Sequence, residues 1–410
     1  MLLIKNIGTL QTPVGSSNHG GEKQAENVKI KNAAILVDGG RIKAIAADGR
    51  MPEGSESADT VIDAGRCLVT PGLIDCHTHM VFGGYRQAEI PLKLRGAGYL
   101  DILRAGGGIL DTVTKTRQAT EQELYEKSMA FLDEMLALGV TTVESKSGYG
   151  LDKEDELKQL RVNKRLDVDH KIDVASTFLG AHAIPPEYKG RAGEYIEMLC
   201  NEVLPIVAEE KLAGFCDIFC EDEVFDVEQS RRMLTAAQQL GLKARIHADE
   251  IEEIGGAVLS GEIGAVSAEH LIATGEKGMA SMAKGGVIAD LLPMTSFYLN
   301  KTFAPARRMI ELGIPVAIAS DFNPGSCPSL NLQLAMSMGY IKYRMTPEEV
   351  LSAVTINAAC SVGLENEIGT LEEGKKADIV IWDAPDMEML VYRFGSNLAK
   401  TVIKNGEVVR

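Results

Sequence analysis

Aromatic residues and patterned cysteines are scarce in this sequence. It has one tryptophan among 410 residues, aromatic residues make up 5%, and its seven cysteines include no Cys-x-x-Cys pair. An odd number of unpatterned cysteines argues against a disulfide framework and against a thiolate zinc site. No apolar run approaches the length of a membrane span, and no signal peptide is evident. We therefore expect a soluble, cytoplasmic protein with no membrane partner.

Positive charge is also in deficit. Lysine and arginine number 42 against 58 aspartates and glutamates, which gives a formal net charge of −16. Because a surface of this sign repels nucleic acid, we expect no nucleic-acid partner. A single arginine can still bind an anionic small molecule, because its local field outweighs the global charge. The hydrophobic fraction of 45% is ample for a large core.

Eight short apolar runs alternate with amphipathic, helix-like segments between residues 70 and 360. Since the runs are apolar on both faces, they predict strands buried in a parallel sheet. This alternation predicts an α/β protein with a (β/α)8 TIM barrel. A doubly wound open sheet is the alternative. The lack of a Gly-x-Gly-x-x-Gly motif after the first strand argues against that fold. The predicted strands are Leu73–His79, Val140–Ser145, Ile172–Leu179, Phe215–Cys220, Ala244–Ala248, Ala265–Leu271, Val287–Leu292 and Val316–Ser320.

The two ends of the chain carry short strand-like runs separated by glycine and aspartate turns. Neither end has enough strands to bury a sheet face by itself. We therefore predict one small, sandwich-like β-domain built from residues 1–69 and 360–410, beside a catalytic barrel of residues 70–359. The runs are Leu2–Lys5, Ala33–Val37, Ile42–Ala46, Thr60–Asp63, Ala377–Trp382, Lys400–Lys404 and Glu407–Val409.

Two histidines, His77 and His79, stand at the end of the first predicted strand. Residues two apart on a strand point to the same side, so both imidazoles face the barrel interior. The C-terminal ends of barrel strands are where active sites form. Burying two unpartnered imidazoles is costly, so we favour a metal site over a pair of core histidines.

Three further candidates end later strands: His247 the fifth, His270 the sixth and Asp321 the eighth. His77, His79 and His247, with Asp321 as an oxygen ligand, would hold a borderline cation such as zinc or ferrous iron. A water at the open position would become a hydroxide nucleophile near neutral pH. The fourth strand ends without the lysine that a bridged two-metal site needs, so a single ion is predicted.

The other candidates bind or polarise a substrate. Arg86, after the first strand, has a guanidinium that suits a carboxylate, although an exposed surface arginine is the alternative. The run Gly106-Gly107-Gly108 has no following lysine, so it predicts a flexible rim loop and not a phosphate loop. The remaining candidates, each following a predicted strand, are Tyr149, His182, Glu250, Asn323, Gly325 and Ser326.

These residues lie in segments that resemble the amidohydrolase superfamily over nearly the full chain. The run Pro71–Asp75 is similar to that superfamily's entry into its first strand, and Gly369–Asp378 to its return to the flanking β-domain. Within the superfamily the chain resembles the imidazolonepropionases, most specifically in the sequence Lys-Ser-Gly-Tyr-Gly at 146–150. Cys76 departs from the proline expected there, and Tyr85 from an acidic residue. The other similar segments are His77–Gly84, Glu144–Leu151, Thr177–His182, His247–Glu250 and Ser320–Ser326.

The resemblance implies a substrate, a reaction and a set of site residues. The reaction is hydrolysis of an anionic imidazolone, 4-imidazolone-5-propanoate, to N-formimidoyl-L-glutamate in histidine degradation. The implied ligands of zinc or iron are His77, His79, His247 and Asp321. The implied substrate contacts are Arg86, Tyr149, His182, Glu250 and Ser326, with Asn323 and Gly325 near the amino-acid end of the product.

Opening a cyclic amide requires an activated water, a stabilised oxyanion and a proton for the departing nitrogen. The metal, with His270 or His182, would stabilise the oxyanion. Glu250 or Asp321 would carry the proton, and the sequence leaves that choice open. Another mononuclear amidohydrolase, such as a deaminase or a different cyclic-amide hydrolase, is the nearest alternative, and a barrel that binds without catalysis is a second. Symmetry favours a homodimer.

Overall fold

Two sheets of eight strands each organise the chain in the computed structural model, which describes residues 1–96 and 107–410. The predicted rim loop at 106–108 lies partly outside these residues. The strands are β1 Leu2–Thr12, β2 Val28–Asp38, β3 Arg41–Ala46, β4 Thr60–Asp63, β5 Leu68–Pro71, β6 Leu73–Asp75, β7 Val140–Lys146, β8 Asp173–Ala181, β9 Phe215–Cys220, β10 Lys243–Ala248, β11 Ser267–His270, β12 Ile288–Leu291, β13 Val316–Ile318, β14 Ile379–Trp382, β15 Ala399–Lys404 and β16 Glu407–Val408.

The second sheet is the predicted barrel. Strands β6 to β13 pair in parallel in chain order, so each of the eight predicted runs is confirmed as a strand. The first strand is shorter than predicted, because regular pairing stops at Asp75. Beyond it, Thr78 forms a parallel bridge with Phe322. The His79 amide donates to the Phe322 carbonyl at 2.8 Å, so the first and last strands meet at their C-terminal ends.

Helices follow most barrel strands and cover the outside of the sheet. The described α-helices are α1 Ile90–Leu94, α2 Ile109–Gln118, α3 Glu121–Ala137, α4 Lys153–Asp169, α5 Ala192–Met198, α6 Leu204–Glu209, α7 Val227–Gln239, α8 Gly256–Ile263, α9 Glu276–Gly285, α10 Pro293–Tyr298, α11 Ala306–Glu311, α12 Leu332–Tyr343, α13 Pro347–Ala353, α14 Ile356–Ser361 and α15 Met387–Tyr392. Within the described ranges, none of them combines the length and the apolar character needed to cross a bilayer.

Local sequence sets where these helices begin and end. Thr120 accepts a hydrogen bond from the Glu123 amide, and the Glu123 carboxylate accepts one from the Thr120 amide, which forms a capping box at the start of α3. The same helix ends before Gly139, whose φ of +92° a side chain rarely adopts. A Cβ at Gly139 would also crowd the buried ring of Trp382, 3.0 Å away. Glycine at the predicted helix end is therefore required both by the backbone conformation and by the packing against Trp382.

The first sheet joins both ends of the chain, as predicted. Long strand β1 pairs with β2 along one edge, and with β4 and then β5 along the other. The C-terminal strand β14 pairs antiparallel with β5 and carries β15 and β16 outward. Strand β5 is the one element of this sheet that the pattern of runs missed. It leads through Gly72 directly into β6, so it fixes where the barrel begins.

Candidate active site

The backbone after β6 sets the two histidines of the His-x-His motif. Thr78, between them, donates its amide to Glu144 Oε2 at 3.2 Å and its hydroxyl to the Glu144 carbonyl at 2.7 Å. This contact turns Thr78 toward β7, while His77 and His79 both point into the barrel mouth. Their Nε2 atoms lie 3.2 Å apart. The predicted same-side arrangement therefore holds, although regular strand pairing has already ended.

His247 and Asp321 complete a compact group of four. The ring of His247, on β10, lies 4.7 Å from that of His77, and ligating nitrogens of the three histidines lie within 4.8 Å of one another. Asp321 Oδ1 is 3.6 Å from His77 Nε2 and 3.5 Å from His79 Nε2. The other carboxylate oxygen, Oδ2, accepts a hydrogen bond from Thr295 Oγ1 at 2.5 Å. The structure thus brings the predicted ligand set together.

This group fits a divalent cation. All four side chains are buried, and His247 Nε2 and Asp321 Oδ1 have no hydrogen-bond partner among residues 1–96 and 107–410. Buried polar atoms without partners are unfavourable unless a ligand satisfies them. Three imidazole nitrogens and one carboxylate oxygen form a donor set suited to a borderline metal ion. The observed atoms therefore support one metal ion at the barrel mouth.

Burial keeps two of the three imidazoles, His77 and His79, unprotonated, which is the form that binds metals. Loss of solvation lowers the pKa values of His77 and His79 well below their usual range. Burial also opposes charge on His247, but the Asp217 and Glu269 carboxylates outweigh it and raise that pKa. The same carboxylates lie close to the histidine nitrogens that face away from the metal group.

A layer of buried charges lies beneath the histidines. Glu269 Oε2 is 2.9 Å from His77 Nδ1, and Asp217 Oδ2 is 2.9 Å from His247 Nδ1. The ammonium of Lys146 sits between these carboxylates, 2.9 Å from Asp217 and 3.1 Å from Glu269. Asp217, His247 and Glu269 form a second group with metal-ligating spacing. The lysine ammonium supplies the positive charge at that group's two carboxylates.

The Lys-Ser-Gly-Tyr-Gly segment forms a tight loop after β7. The buried Glu156 carboxylate accepts hydrogen bonds from the amides of Gly148, Gly150 and Leu151 at 2.8–3.1 Å, which fixes the loop. Gly148 has a φ of +112°, and a Cβ there would press against the ring of His182. This glycine is therefore required for the close approach of the third-strand histidine.

His182 lies over the metal group, as its position after the third strand predicts. Its ring stacks on that of His79 with centroids 4.9 Å apart and planes at 18°. Its Nδ1 is 3.2 Å from the Gly148 carbonyl, which can only accept, so Nδ1 carries the proton. Burial, together with the nearby His247, lowers the pKa of His182 to about 3. The neutral ring therefore presents Nε2 as an acceptor.

His270 and Glu250 form a pair on the opposite side of the mouth. His270 Nε2 lies 3.8 Å from Glu250 Oε2, and the His270 ring is 5.1 Å from that of His247. His270 has a φ of +67° and Asp321 a φ of +54°. Left-handed backbone at non-glycine residues is unfavourable, and it concentrates at functional sites where the surrounding structure enforces it. Both residues turn sharply out of their strands to face the mouth.

Arg86 is held by a neighbouring carboxylate. Its Nε donates to Glu89 Oε1 at 2.7 Å and its Nη2 to Glu89 Oε2 at 3.2 Å. The remaining nitrogen, Nη1, packs against Gly325, where any Cβ would overlap it. The guanidinium therefore has a fixed orientation beside the eighth-strand loop. Tyr149 is buried between this arginine and Asp321, and burial strongly raises the pKa of its phenol, so the hydroxyl keeps its proton.

The loop after Asp321 is shaped by Asn323. Its Oδ1 accepts from the amides of Gly325 and Ser326 at 2.8 and 2.7 Å, and its Nδ2 donates to the Asp321 carbonyl and to Ser326 Oγ. The Asn323 amide is thus fully engaged within the loop. Because Ser326 Oγ accepts that bond, its hydroxyl hydrogen can donate to another group.

Sequence reasoning missed the residues that support this group. A signal was present, since charged residues interrupt runs that are otherwise buried in the barrel, and a buried charge must be paired. Thr295, which follows the seventh strand, gave no such signal. The missed residues are Glu144, Lys146, Asp217, Arg245, Glu269, Asp290 and Thr295.

Comparison with known proteins agrees with the metal-binding geometry of this site. Residues 221–409 match the model of the Amidohydrolase family. The imidazolonepropionase of Fusobacterium nucleatum is 50% identical over 410 residues, which cover 100% of this chain and 98% of the relative. That of Alkaliphilus metalliredigens is 50% identical over 412 residues, covering 100% and 97%.

Among solved structures, the fold is similar to a 5-methylcytosine deaminase from Klebsiella pneumoniae. The TM-score is 0.74 at 17% identity, with 100% of this chain and 98% of that chain covered. An adenosine deaminase from Xanthomonas campestris with bound zinc has a TM-score of 0.68 at 18% identity, covering 99% and 92%. These two likenesses show the barrel and its flanking sheet, while the full-length identities show the family. The chain belongs to the imidazolonepropionase family of amidohydrolases.

Proposed function

We propose that this chain hydrolyses 4-imidazolone-5-propanoate to N-formimidoyl-L-glutamate in histidine degradation. Water adds its oxygen to the ring carbonyl carbon, the bond from that carbon to the ring nitrogen breaks, and the nitrogen gains a proton. One observation carries the proposal: four metal-ligating side chains converge at the barrel mouth beside a fixed guanidinium, in a chain half identical to imidazolonepropionases over its full length.

For the metal, we propose zinc or ferrous iron, held by His77, His79, His247 and Asp321. The set of three imidazole nitrogens and one carboxylate oxygen suits both ions. A divalent ion bound there supplies Lewis acidity, which polarises a carbonyl and makes water a better nucleophile near neutral pH. The second group, around Asp217, holds the Lys146 ammonium, so one ion per chain is the expected stoichiometry.

We assign His182 and His270 to different atoms of the substrate ring. The neutral His182 presents Nε2 as an acceptor, so we assign it to a ring N–H of the substrate and not to the oxyanion. His270 Nδ1 is buried with no hydrogen-bond partner within the described part of the chain. If the His270 ring carries a proton on Nδ1, it can donate to the charge that develops on the carbonyl oxygen, and we assign it that role. The hydrogen bond of His182 Nδ1 to Gly148 favours this division, because it leaves His182 only an acceptor.

Asp321 is the better placed of the two candidate proton carriers. Its Oδ2 is held by Thr295, and its Oδ1 faces the histidine nitrogens without a partner among the described residues. Loss of solvation raises its pKa, which favours accepting a proton from water and passing it on. Glu250 lies farther out, 3.8 Å from both His270 and Lys301. We assign Glu250 to substrate binding beside His270.

The substrate's propanoate is assigned to Arg86 and the adjoining loop. Arg86 Nη1 lies against Gly325, so a carboxylate there can also reach the Ser326 hydroxyl. Tyr149 closes the side of the pocket between this subsite and Asp321. Asn323 acts by holding the loop. We further propose a homodimer, no nucleic-acid or membrane partner, and a cytoplasmic setting.

The test is turnover of freshly generated 4-imidazolone-5-propanoate by the purified holoenzyme. Loss of the substrate's ultraviolet absorbance and appearance of N-formimidoyl-L-glutamate by mass spectrometry are expected, with no release of ammonia. Ammonia release from this or another cyclic substrate, without ring opening, would favour a deaminase instead. An inert, metal-loaded protein would contradict the proposed reaction.

A further inference from the structure

We propose that Lys146 is a positioning residue that holds two metal ligands, His77 and His247, through two shared carboxylates. The inference rests on the proposed function in that it takes these histidines as ligands. Lys146 is the first residue of the Lys-Ser-Gly-Tyr-Gly segment. The loop contacts described above explain the glycines of this segment but give the lysine no function. Its ammonium lies beneath the metal group, on the side away from the substrate.

The evidence is that the lysine and the histidines share the same oxygen atoms. Asp217 Oδ2 lies 2.9 Å from Lys146 Nζ and 2.9 Å from His247 Nδ1. Glu269 Oε2 lies 3.1 Å from Lys146 Nζ, 2.9 Å from His77 Nδ1 and 3.2 Å from His247 Nδ1. One ammonium therefore restrains both carboxylate oxygens that lie beside the Nδ1 atoms of His77 and His247.

These contacts decide which nitrogen of each imidazole faces the metal. A carboxylate beside Nδ1 keeps the proton on that nitrogen and leaves the lone pair on Nε2. For His247, Nε2 has no partner among the described residues, while Nδ1 lies 2.9 Å from Asp217 Oδ2 in an ion-pair contact that is not aligned as a hydrogen bond. The carboxylates would repel one another without a cation between them, so the ammonium is needed to hold both in place.

A third carboxylate extends the restraint to the His-x-His backbone. Glu144 Oε1 lies 2.9 Å from Lys146 Nζ, while its Oε2 accepts from the Thr78 amide. The Lys146 amide also donates to the Thr78 carbonyl at 2.9 Å. Lys146 thus restrains the peptide between the two histidines from both its side chain and its backbone.

Other functions for this lysine conflict with its surroundings. Its side chain has no exposed surface and is in contact with three carboxylates, so it cannot reach a substrate. Arg245 is the other cation of the layer, but it pairs with Glu269 Oε1 and Asp290, and donates to the Cys76 carbonyl. It touches neither Asp217 nor the oxygens that face the histidines. The positioning contact therefore belongs to Lys146.

The test is the zinc affinity of the metal-free full-length chain, measured by competition with a chromophoric chelator. Supporting carboxylates typically contribute 10- to 100-fold in metal affinity, so Lys146→Met should raise the zinc Kd by about that factor. The visible spectrum of the cobalt-loaded protein should also change, because it reports ligand geometry. The matched control is Lys404→Met, which removes a buried lysine paired with Asp378 and Asp173 at 2.6 and 2.8 Å, at the terminal sheet. This control should lose stability but keep the wild-type zinc Kd.

A second variant covers the case in which Lys146→Met does not fold. Asp217→Asn keeps the ammonium but replaces the shared oxygen's charge, and it should also weaken zinc binding about tenfold or more. Wild-type zinc affinity in either folded variant would overturn the proposal. His77→Ala separates this failure from failure of the metal site: if it too binds zinc normally, the ligand assignment is wrong; if it alone loses zinc, only the role of Lys146 is wrong.

Discussion

Replacing Arg86 with methionine tests the substrate-binding half of the site. Glu89 already engages Nε and Nη2, so the substrate's carboxylate is expected to meet Nη1 and the free edge of Nη2. A hydrogen bond to a charged group contributes about 1.5–3 kcal/mol, which corresponds to a KM increase of about 10- to 150-fold in Arg86→Met. The value of kcat should change little, because the propanoate is bound equally in the ground and transition states.

Steady-state kinetics with 4-imidazolone-5-propanoate, followed by ultraviolet absorbance, measure this effect. A thermal melt serves as the control, since Glu89 is buried and loses an ion-pair partner in the variant. Gly325→Ala supplies an independent perturbation without a charge change: its Cβ would displace Nη1, and KM should rise as well. Unchanged KM values in both variants, with folding intact, would refute the carboxylate subsite.

Three further predictions concern the metal group and a remote histidine. Asp321→Asn keeps the shape but removes a ligand charge and the proton acceptor, so kcat should fall about 10²-fold or more; wild-type turnover would exclude Asp321 from the mechanism. Thr295→Val frees Asp321 Oδ2 and should lower kcat while leaving KM near wild type, and a KM effect alone would point to substrate contact instead. His170 Nδ1 accepts from the Ile172 amide, and burial lowers its pKa below the usual 6.5. The unfolded chain therefore binds more protons than the folded one, so Tm should fall as pH drops below about 6.5. His170→Gln should make Tm depend less on pH in this range. An equal pH dependence of Tm in both proteins would exclude His170 as the titrating group.

The sequence predicted the barrel well because its physical signal is strong. A parallel strand is buried on both faces, so eight apolar runs separated by helices have few other interpretations. The His-x-His motif was equally informative, since a period of two places both imidazoles on one side. Strand β5 was missed because its short run adjoins the first barrel strand, and only Gly72 separates them.

The supporting shell of the site could not be derived in the same way. Lys146, Asp217 and Glu269 come from three different strands, and their pairing depends on the register of the closed barrel. A buried charge must be paired, but the sequence does not show which residue pairs with which. For Asn323, the position in the sequence suggested a contact near the substrate. In the structure its side-chain amide hydrogen-bonds within its own loop. Hydrogen-bond partners of this kind are set by tertiary contacts.

Metal-dependent turnover of 4-imidazolone-5-propanoate is the most direct test of the account. The holoenzyme would be assayed, stripped with a chelator, and then titrated with zinc or ferrous iron while turnover and bound metal are both measured. We expect activity to be lost on chelation and to return in proportion to bound metal, saturating at one ion per chain. Full activity in the stripped enzyme, or saturation only at two ions per chain, would contradict it.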